Sequence, residues 1–294
     1  MKTGFIGLGA MGYPMAKNLH KAGLLAAVWN RSRDKAARFA QESGVTAATD
    51  IGALAAECEC VVTCVSADAD VLGVVDTLAA SLPEGALVID CSTVNAETAQ
   101  QAAKKLAARN IGFLDCPVSG GTEGAIHGTL AIMCGGSETD FERARPVLSA
   151  MGKRIALMGP AGSGQATKAV NQIAVAGVNQ AVSEALAFAH AHGLDLNKVI
   201  DVVGSGAAAS WFMTNRGPNM ERMAFPLGFK VTLHEKDLNI CKRMAETFDV
   251  QLPVVEMTLL HYRRLIEQGH SDEDISSLYR LKRAMFEKPV TSDE

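Results

Sequence analysis

Aromatic residues are scarce in this chain and make up only 5% of its 294 residues. Proteins that hold single-stranded nucleic acid commonly stack its bases on aromatic side chains, so this mode of binding is disfavoured. Positive charge is not in excess either, because 28 lysines and arginines stand against 32 aspartates and glutamates, which gives a formal net charge of −4. A nucleic-acid-binding domain usually carries a basic face. We therefore expect no nucleic-acid partner.

Long apolar runs are also missing. No window approaches the roughly 18 consecutive apolar residues of a membrane-spanning helix. The apolar run at the N-terminus is interrupted at once by glycines, unlike that of a secretory signal peptide. The seven cysteines are odd in number, and Cys58-x-Cys60 lacks the second pair of ligands that a zinc site needs. We expect buried, reduced thiols, no metal, no membrane partner and a cytoplasmic location.

The length of 294 residues allows about two domains and a sizeable core, and hydrophobic residues make up 48% of the chain. In the first half, short apolar runs alternate with stretches of helical period. The predicted strands are Lys2–Ile6, Leu25–Trp29, Cys60–Val65, Ala86–Asp90, Gly112–Asp115, Leu130–Cys134 and Arg154–Leu157. The predicted helices between the early strands are Met11–Lys21, Arg33–Glu42, Asp68–Ala79 and Ala96–Ala108. This alternation predicts an α/β fold with a mainly parallel, doubly wound sheet.

The pattern changes after Gly159, where a loop rich in glycine leads into a long helix predicted over Gln165–His192. That length exceeds the usual range for globular helices, so we interpret it as a helix between two domains. Beyond it only helical signals occur. The further predicted helices are Asn197–Val203, Asp237–Phe248, Val254–Gln268 and Asp274–Glu287. We predict an α/β domain over residues 1–162 and an all-helical domain over 163–294 that begins with the long helix.

A glycine-rich turn lies between the first predicted strand and the first predicted helix. It reads Gly7-Leu8-Gly9-Ala10-Met11-Gly12, which has the G-x-G-x-x-G spacing of dinucleotide-binding turns in the strand–turn–helix context that they require. The first glycine permits a tight turn, the second lets the backbone approach a pyrophosphate, and the third lets the helix pack on the strand. N–H groups at the helix start then face the phosphate charge. The predicted cofactor-binding residues of this turn are Gly7, Leu8, Gly9, Ala10 and Met11.

An acidic residue is absent at the end of the second strand, where NAD-binding domains usually carry one to hold the ribose hydroxyls. The chain reads Asn30-Arg31-Ser32 there. Asn30 and Ser32 can form hydrogen bonds with a 2′-phosphate, and Arg31 can pair with it and stack on adenine. We therefore predict that this domain binds NADP and prefers NADPH over NADH.

Two further segments are open to more than one interpretation. Ser119-Gly120-Gly121 follows a predicted strand, and its N–H groups either bind a carboxylate or belong to a flexible turn. Lys168, Asn171 and Gln172 share one face of the long helix. The lysine on that face either snorkels from a core helix or is held in a cleft.

A third segment contains Lys236 and Asp237 at the start of a predicted helix. An aspartate near a helix N-terminus is often only a cap, so a structural and a functional interpretation are both open. The histidines show no spacing with aspartate or cysteine that suggests a triad or a metal site.

Together, these segments resemble the β-hydroxyacid dehydrogenase family, the relatives of 3-hydroxyisobutyrate dehydrogenase. The resemblance covers nearly the whole chain. It rests on four motifs in order, namely Gly7–Gly12 continuing to Asn18-Leu19, Asp115–Gly121 continuing to Gly128-Thr129-Leu130, Gly162-Ser163-Gly164 leading to Lys168, and Lys236-Asp237-Leu238. It implies a Rossmann domain, a long interdomain helix and a helical C-terminal domain like that of 6-phosphogluconate dehydrogenase. It also implies a homo-oligomer, either a dimer or a tetramer.

The resemblance implies roles for individual residues. Lys168 matches the family's catalytic lysine, which exchanges a proton with the substrate oxygen while the nicotinamide exchanges a hydride with its carbon. The residues implied to bind a small carboxylate-bearing substrate are Ser119, Gly120, Gly121, Asn171, Gln172 and Trp211. Those implied to lie near the cofactor, besides the glycine turn and Asn30, Arg31 and Ser32, are Val65, Ser66, Thr93, Lys236 and Asp237.

Two departures from the family pattern bear on the substrate. Cys116 stands where the family has alanine, beside the substrate loop, and Asn171-Gln172 stands where many 3-hydroxyisobutyrate enzymes have Asn-Asn. Tartronate semialdehyde reductases share the Asn-Gln pair, which favours a semialdehyde reductase. A broad-specificity succinic semialdehyde or glyoxylate reductase shares every motif and stays an alternative. An imine reductase and a non-catalytic nucleotide-binding module are disfavoured, because such proteins usually lack a lysine at the position of Lys168.

Overall fold

The computed structural model describes residues 1–287. Internal contacts divide the chain into a first unit, Met1–Ala169, and a second unit that begins at Val170. The sequence places the boundary between residues 162 and 163, close to that division. Residues 288–294 of the predicted second domain lie outside the described residues.

The first unit is built on a nine-stranded sheet. Its strands are β1 (Thr3–Ile6), β2 (Leu25–Trp29), β3 (Thr46–Ala47), β4 (Cys60–Thr63), β5 (Leu87–Asp90), β6 (Gly112–Asp115), β7 (Val118–Ser119), β8 (Leu130–Gly136) and β9 (Gly152–Gly159). The strand order is β3-β2-β1-β4-β5-β6-β8-β7, with β9 also paired to β8. Strands β1 to β6 are parallel to one another, whereas β8 runs antiparallel to β6 and β7. The predicted doubly wound α/β fold is confirmed.

Seven helices belong to the first unit alone. They are α1 (Gly12–Lys21), α2 (Arg33–Ser43), α3 (Ile51–Ala56), α4 (Asp68–Ser81), α5 (Ala96–Ala107), α6 (Gly121–His127) and α7 (Glu138–Met151). The sequence analysis missed α3, α6 and α7, together with the two-residue strands β3 and β7. Most of these elements are too short to show a period, and α7 contains Pro146, which normally signals a helix break.

Both faces of the sheet are buried. Phe5 and Val62 belong to one apolar core, whereas their neighbours Ile6 and Val61 belong to the core on the opposite face. Side chains alternate between the faces of a strand, so a strand buried on both sides is apolar throughout. This explains why the central strands appear in the sequence as continuous apolar runs. All seven cysteines lie within residues 1–287, none of them forms a disulfide, and all but Cys64 are buried.

A long helix, α8 (Ser163–Ala191), begins in the first unit and continues into the second. The other elements of the second unit are α9 (Leu196–Val203), α10 (Trp211–Glu221), α11 (Val231–Glu246), α12 (Pro253–Glu267), a 3₁₀ turn (Ile275–Ser277) and α13 (Leu278–Ala284). Large buried side chains, among them Leu186, Met220, Tyr262 and Tyr279, form the core of this unit. None of the helices within residues 1–287 combines the length and the hydropathy that a membrane crossing needs.

The start of α11 corrects one prediction. The sequence analysis began this helix at Asp237, but the helix begins at Val231 and Asp237 lies inside it. Asp274 accounts for the difference, because its carboxylate accepts the N–H groups of Gly228 and Phe229 and so holds the chain just before the helix. That long-range contact leaves no local signal in the sequence. Asp237 is therefore not an N-terminal cap. The helix predicted over Asp274–Glu287 likewise begins as the 3₁₀ turn.

Candidate active site

The glycine-rich turn after β1 has the geometry of a dinucleotide site. Gly7 has a φ of 99°, which favours glycine, and a side chain at Gly12 would collide with the carbonyl oxygen of Gly7. A side chain at Gly9, by contrast, would meet nothing within 4 Å. The turn is therefore closed on its protein side and open at Gly9, where a pyrophosphate would approach the backbone. It also lies where the strand order reverses between β1 and β4, the usual place for a ligand in such sheets.

The loop after β2 contacts the glycine turn through Asn30. The side-chain oxygen of Asn30 accepts the N–H of Leu8 at 2.8 Å, and its amide nitrogen donates to the carbonyl oxygen of Ser32 at 3.0 Å. Asn30 thus shapes this loop. The side chain of Arg31 is 82% exposed, and its guanidinium lies 3.3 Å from the carboxylate of Asp70 on α4.

Buried hydrogen bonds join the loops after β4 and β5. The carboxylate of Asp90 accepts the hydroxyls of Thr63 at 2.7 Å and Ser92 at 2.6 Å. The Ser92 hydroxyl in turn accepts the N–H of Val65 at 2.9 Å. The structure therefore brings the Val65-Ser66 loop and the Thr93 loop together at the carboxyl edge of the sheet.

Asp115, at the end of β6, holds the start of α8. One of its carboxylate oxygens accepts the N–H of Gly162 at 2.7 Å, and the other accepts the N–H of Gln165 at 2.9 Å. Burial raises the pKa of Asp115 to about 7, and the two backbone donors partly oppose that rise. The carboxylate thus fixes the first turn of α8 against the end of the sheet.

Lys168 lies one turn further along α8 and is only 8% exposed. Its ammonium donates a hydrogen bond to the carbonyl oxygen of Val118 at 2.9 Å. Because so little of it is exposed, Lys168 is not a snorkelling side chain. Val118 immediately precedes Ser119 in β7, and Gly120 and Gly121 follow with φ angles of 128° and 61°. The structure therefore brings the lysine to the start of the predicted substrate loop.

In the second unit, Asn171, Gln172, Lys236 and Asp237 form a chain of polar contacts. Asn171 donates to the side-chain oxygen of Gln172 at 2.8 Å, and Gln172 donates to the Asp237 carboxylate at 2.6 Å. The ammonium of Lys236 lies 3.1 Å from the same carboxylate. Trp211 begins α10, is 63% exposed and packs near the guanidinium of Arg216. The proposed roles of these residues stay predictions.

Sequence reasoning gave no role to Gln165 or Asp90, and none to the Asp115 side chain. All three are buried polar residues with several hydrogen bonds. One signal for the aspartates was available, since each is the last residue of an apolar strand and the two are paired in register. For Gln165, the only signal was its place three residues before Lys168.

Two protein-family models match this chain, each over about half of it. A family model described as the NAD binding domain of 6-phosphogluconate dehydrogenase matches residues 2–159. A second, described as NAD-binding of NADP-dependent 3-hydroxyisobutyrate dehydrogenase, matches residues 162–282. The chain belongs to the β-hydroxyacid dehydrogenase family. It is an oxidoreductase that acts on CH–OH groups and carries an NAD(P)-binding domain.

Three relatives illustrate the similarity. An uncharacterized oxidoreductase of Shewanella frigidimarina is 39% identical over 94% of this chain and 96% of its own. The 2-hydroxy-3-oxopropionate reductase of Escherichia coli is 36% identical over 95% and 96%. Among solved structures, 3-hydroxyisobutyrate dehydrogenase of Mycobacterium tuberculosis with L-serine is 30% identical, covers 96% of this chain and 99% of its own, and has a TM-score of 0.89.

Replacing Gly12 with alanine tests the close packing of the dehydrogenase's glycine turn. We expect Gly12→Ala to lower the free energy of unfolding by about 1–3 kcal/mol, as overpacking does, and to weaken dinucleotide binding. Gly73→Ala in α4 is the matched control, because its new methyl group meets nothing within 4 Å. In this control the free energy of unfolding should rise by about 0.5–1 kcal/mol, because alanine is favoured over glycine inside a helix. Urea unfolding and fluorescence titration with NADPH measure both effects, and equal stability of the two variants would contradict the packing argument.

The raised pKa of Asp115 predicts a pH dependence of stability. The Asp115 carboxyl binds its proton more tightly in the folded protein than in the unfolded chain. The stabilisation that comes from this protonated carboxyl is therefore fully present below about pH 4. That contribution is lost as the pH rises toward and through about 7. In urea unfolding, the stability of the wild type relative to Asp115→Asn should therefore fall between pH 4.5 and 7.5. A difference that stays constant or grows over this range would contradict the prediction.

Proposed function

We propose that this dehydrogenase is NADP(H)-dependent and interconverts a small β-hydroxyacid and its semialdehyde, with Lys168 as the general acid and base. The observation that carries the proposal is the position of Lys168, a buried lysine whose ammonium meets the carbonyl oxygen of Val118 at the start of the loop Ser119–Gly121. Buried ionisable side chains often mark functional sites, and proton donor is the role that we propose for this buried lysine.

In this proposal, residues of the first unit transfer the proton and bind the substrate carboxylate. When bound, the nicotinamide supplies the hydride that reduces the carbonyl carbon. Lys168 holds a proton at its Nζ atom and passes it to the carbonyl oxygen as negative charge develops there; in the oxidation direction it takes the proton back. The Val118 carbonyl orients the ammonium, and Ser119, Gly120 and Gly121 receive the substrate carboxylate.

The preference for NADPH rests on the loop after β2. No acidic side chain ends that strand, and such a carboxylate would repel a 2′-phosphate. Asn30 already holds the loop through Leu8 and Ser32, so Arg31 and the Ser32 hydroxyl are the groups that we propose meet the phosphate. The name of the family model that matches the second half, which includes NADP dependence, supports this preference.

For the substrate, we propose 2-hydroxy-3-oxopropionate, also called tartronate semialdehyde. The reductase of Escherichia coli named for it is 36% identical to this chain, and the Asn171-Gln172 pair is the one that such reductases share. The assembly we propose is a homo-oligomer formed through the helical unit. Large apolar side chains exposed on that unit, including Phe188 at 54% and Phe248 at 79%, support this.

An assay of NADPH consumption tests the reaction. The aldehydes tested are tartronate semialdehyde, methylmalonate semialdehyde, succinic semialdehyde and glyoxylate. The reverse reaction is tested with D-glycerate, 3-hydroxyisobutyrate and L-serine. We expect the highest kcat/KM with tartronate semialdehyde. Highest activity with succinic semialdehyde or glyoxylate would favour the broad-specificity reductase, and no turnover on the whole panel would reject the proposal.

Replacing Lys168 tests its role. We expect Lys168→Ala to lower kcat by about 10²–10⁴-fold, the usual range for general acid–base catalysis, while the Kd for NADPH changes little. Lys168→Arg is the matched control, because it keeps the charge but is a far weaker proton donor and should lose comparable activity. Turnover of the alanine variant near that of the wild type would remove Lys168 from this role.

Replacing Arg31 tests the cofactor preference. Arg31→Asp should lower the ratio of kcat/KM with NADPH to that with NADH by about 10–100-fold, because a charge-assisted hydrogen bond is worth roughly 1.5–3 kcal/mol. Arg109→Asp, at an exposed position after α5, makes the same change of net charge away from this loop. The control should keep the wild-type ratio. An unchanged ratio in Arg31→Asp would contradict NADPH recognition by this residue.

A further inference from the structure

Gln165 lies in the first turn of α8, three residues before Lys168, and is only 1% exposed. Its side-chain oxygen accepts the N–H of Val94 at 3.1 Å. Its side-chain nitrogen donates to the carbonyl oxygen of Ser92 at 2.8 Å. One buried amide therefore binds the peptide groups on both sides of Thr93.

The orientation of this amide follows from its partners. A backbone N–H only donates and a carbonyl oxygen only accepts, so the oxygen of Gln165 must face Val94 and its nitrogen must face Ser92. Ser92 is itself held within the first unit, because both its N–H and its hydroxyl are bound to Asp90. The backbone N–H of Gln165 is bound to Asp115 in the same way. Gln165 thus connects the Ser92–Val94 loop, which Asp90 holds, to the start of α8, which Asp115 holds.

We propose that Gln165 is a positioning residue, whose side-chain amide holds Thr93 at a fixed distance from the turn of α8 that carries Lys168. Because Lys168 is the proposed proton donor and Thr93 is predicted to lie near the nicotinamide ribose, this inference rests on the proposed function. By this inference, the amide keeps the Thr93 loop and the ammonium of Lys168 at a constant separation. A displacement of about 1 Å in such a geometry can lower a rate on the order of 10²-fold.

Gln165→Met removes both hydrogen bonds but keeps a side chain of similar length. We expect kcat to fall by about 10–100-fold, the range set by small misplacements, with the KM for NADPH changed less than the kcat. Gln180→Met is the matched control: Gln180 is also a buried glutamine, 5% exposed and bound to Thr258 and His261 in the second unit. It should show a similar fall in Tm without the loss of kcat per folded molecule. Wild-type kcat in Gln165→Met would overturn the proposal.

Gln165→Glu separates positioning from packing. A protonated glutamate can donate to Ser92 and accept from Val94, as glutamine does, but an ionised one cannot donate and places its charge beside the Ser92 carbonyl. Burial and that carbonyl should raise the pKa of the new carboxyl. The ratio of variant to wild-type kcat should therefore rise as the pH falls from 8 to 5. A ratio that is independent of pH, or that falls in this range, would overturn the proposal.

Hydrogen exchange distinguishes a failure of this inference from a failure of the proposed function, because it needs no substrate. In the presence of saturating NADPH, the Val94 N–H should exchange at least 10-fold faster in Gln165→Met than in the wild type and in Gln180→Met. Equal exchange in all three proteins would overturn the positioning role. If the wild type turns over nothing on the substrate panel, the reaction is rejected, whereas the exchange experiment still decides whether Gln165 holds the Thr93 loop.

Discussion

The buried carboxylate of Asp115 is the contact on which the arrangement of the first unit's site depends. A carboxylate taken out of water is costly unless hydrogen bonds replace its hydration. Here the N–H groups of Gly162 and Gln165 replace part of that hydration, and they are donors that the start of a helix leaves unpaired. The same two bonds fix α8 along and around its axis at its first turn. Gln165 lies in that first turn and Lys168 lies one turn further along the helix. The directions of their side chains toward Ser92, Val94 and Val118 therefore depend on the position of Asp115.

The sheet explains why the polar groups meet at one edge. Thr63, Asp90 and Asp115 end three neighbouring parallel strands and are paired in register. In a parallel sheet the carboxyl ends of all strands lie on one side, so residues placed at the last position of each strand form a row. Apolar residues precede them and are buried on both faces. The two aspartates are buried at the strand ends and are held rigidly there, because each is attached to a strand that cannot shift without breaking the sheet.

The sequence predicts this fold well where the information is local. The strands Leu25–Trp29 and Gly112–Asp115 have the predicted limits, because apolar residues of strand-forming type are bounded by turns. The start of α11 was missed because a carboxylate from residue 274 sets it. The site divides in the same way. A motif of fixed spacing reveals the glycine turn, whereas the partners of the Gln165 side chain lie more than 70 residues away in sequence. Nothing in one sequence indicates which distant backbone groups a buried amide will bind.

Buried carboxylates also determine the direction of the polar chains in both units. The side-chain nitrogen of Gln172 donates to the carboxylate of Asp237, so its side-chain oxygen faces Asn171. Asn171 must then donate to Gln172, which leaves its own side-chain oxygen directed elsewhere. In the first unit, Asp90 likewise makes the Ser92 hydroxyl a donor, and that hydroxyl then accepts from Val65. An isolated amide or hydroxyl can both donate and accept hydrogen bonds, so it can adopt two orientations. A neighbouring carboxylate that accepts from it selects one of them. A polar network whose donors and acceptors are fixed in this way makes the structure around it more rigid.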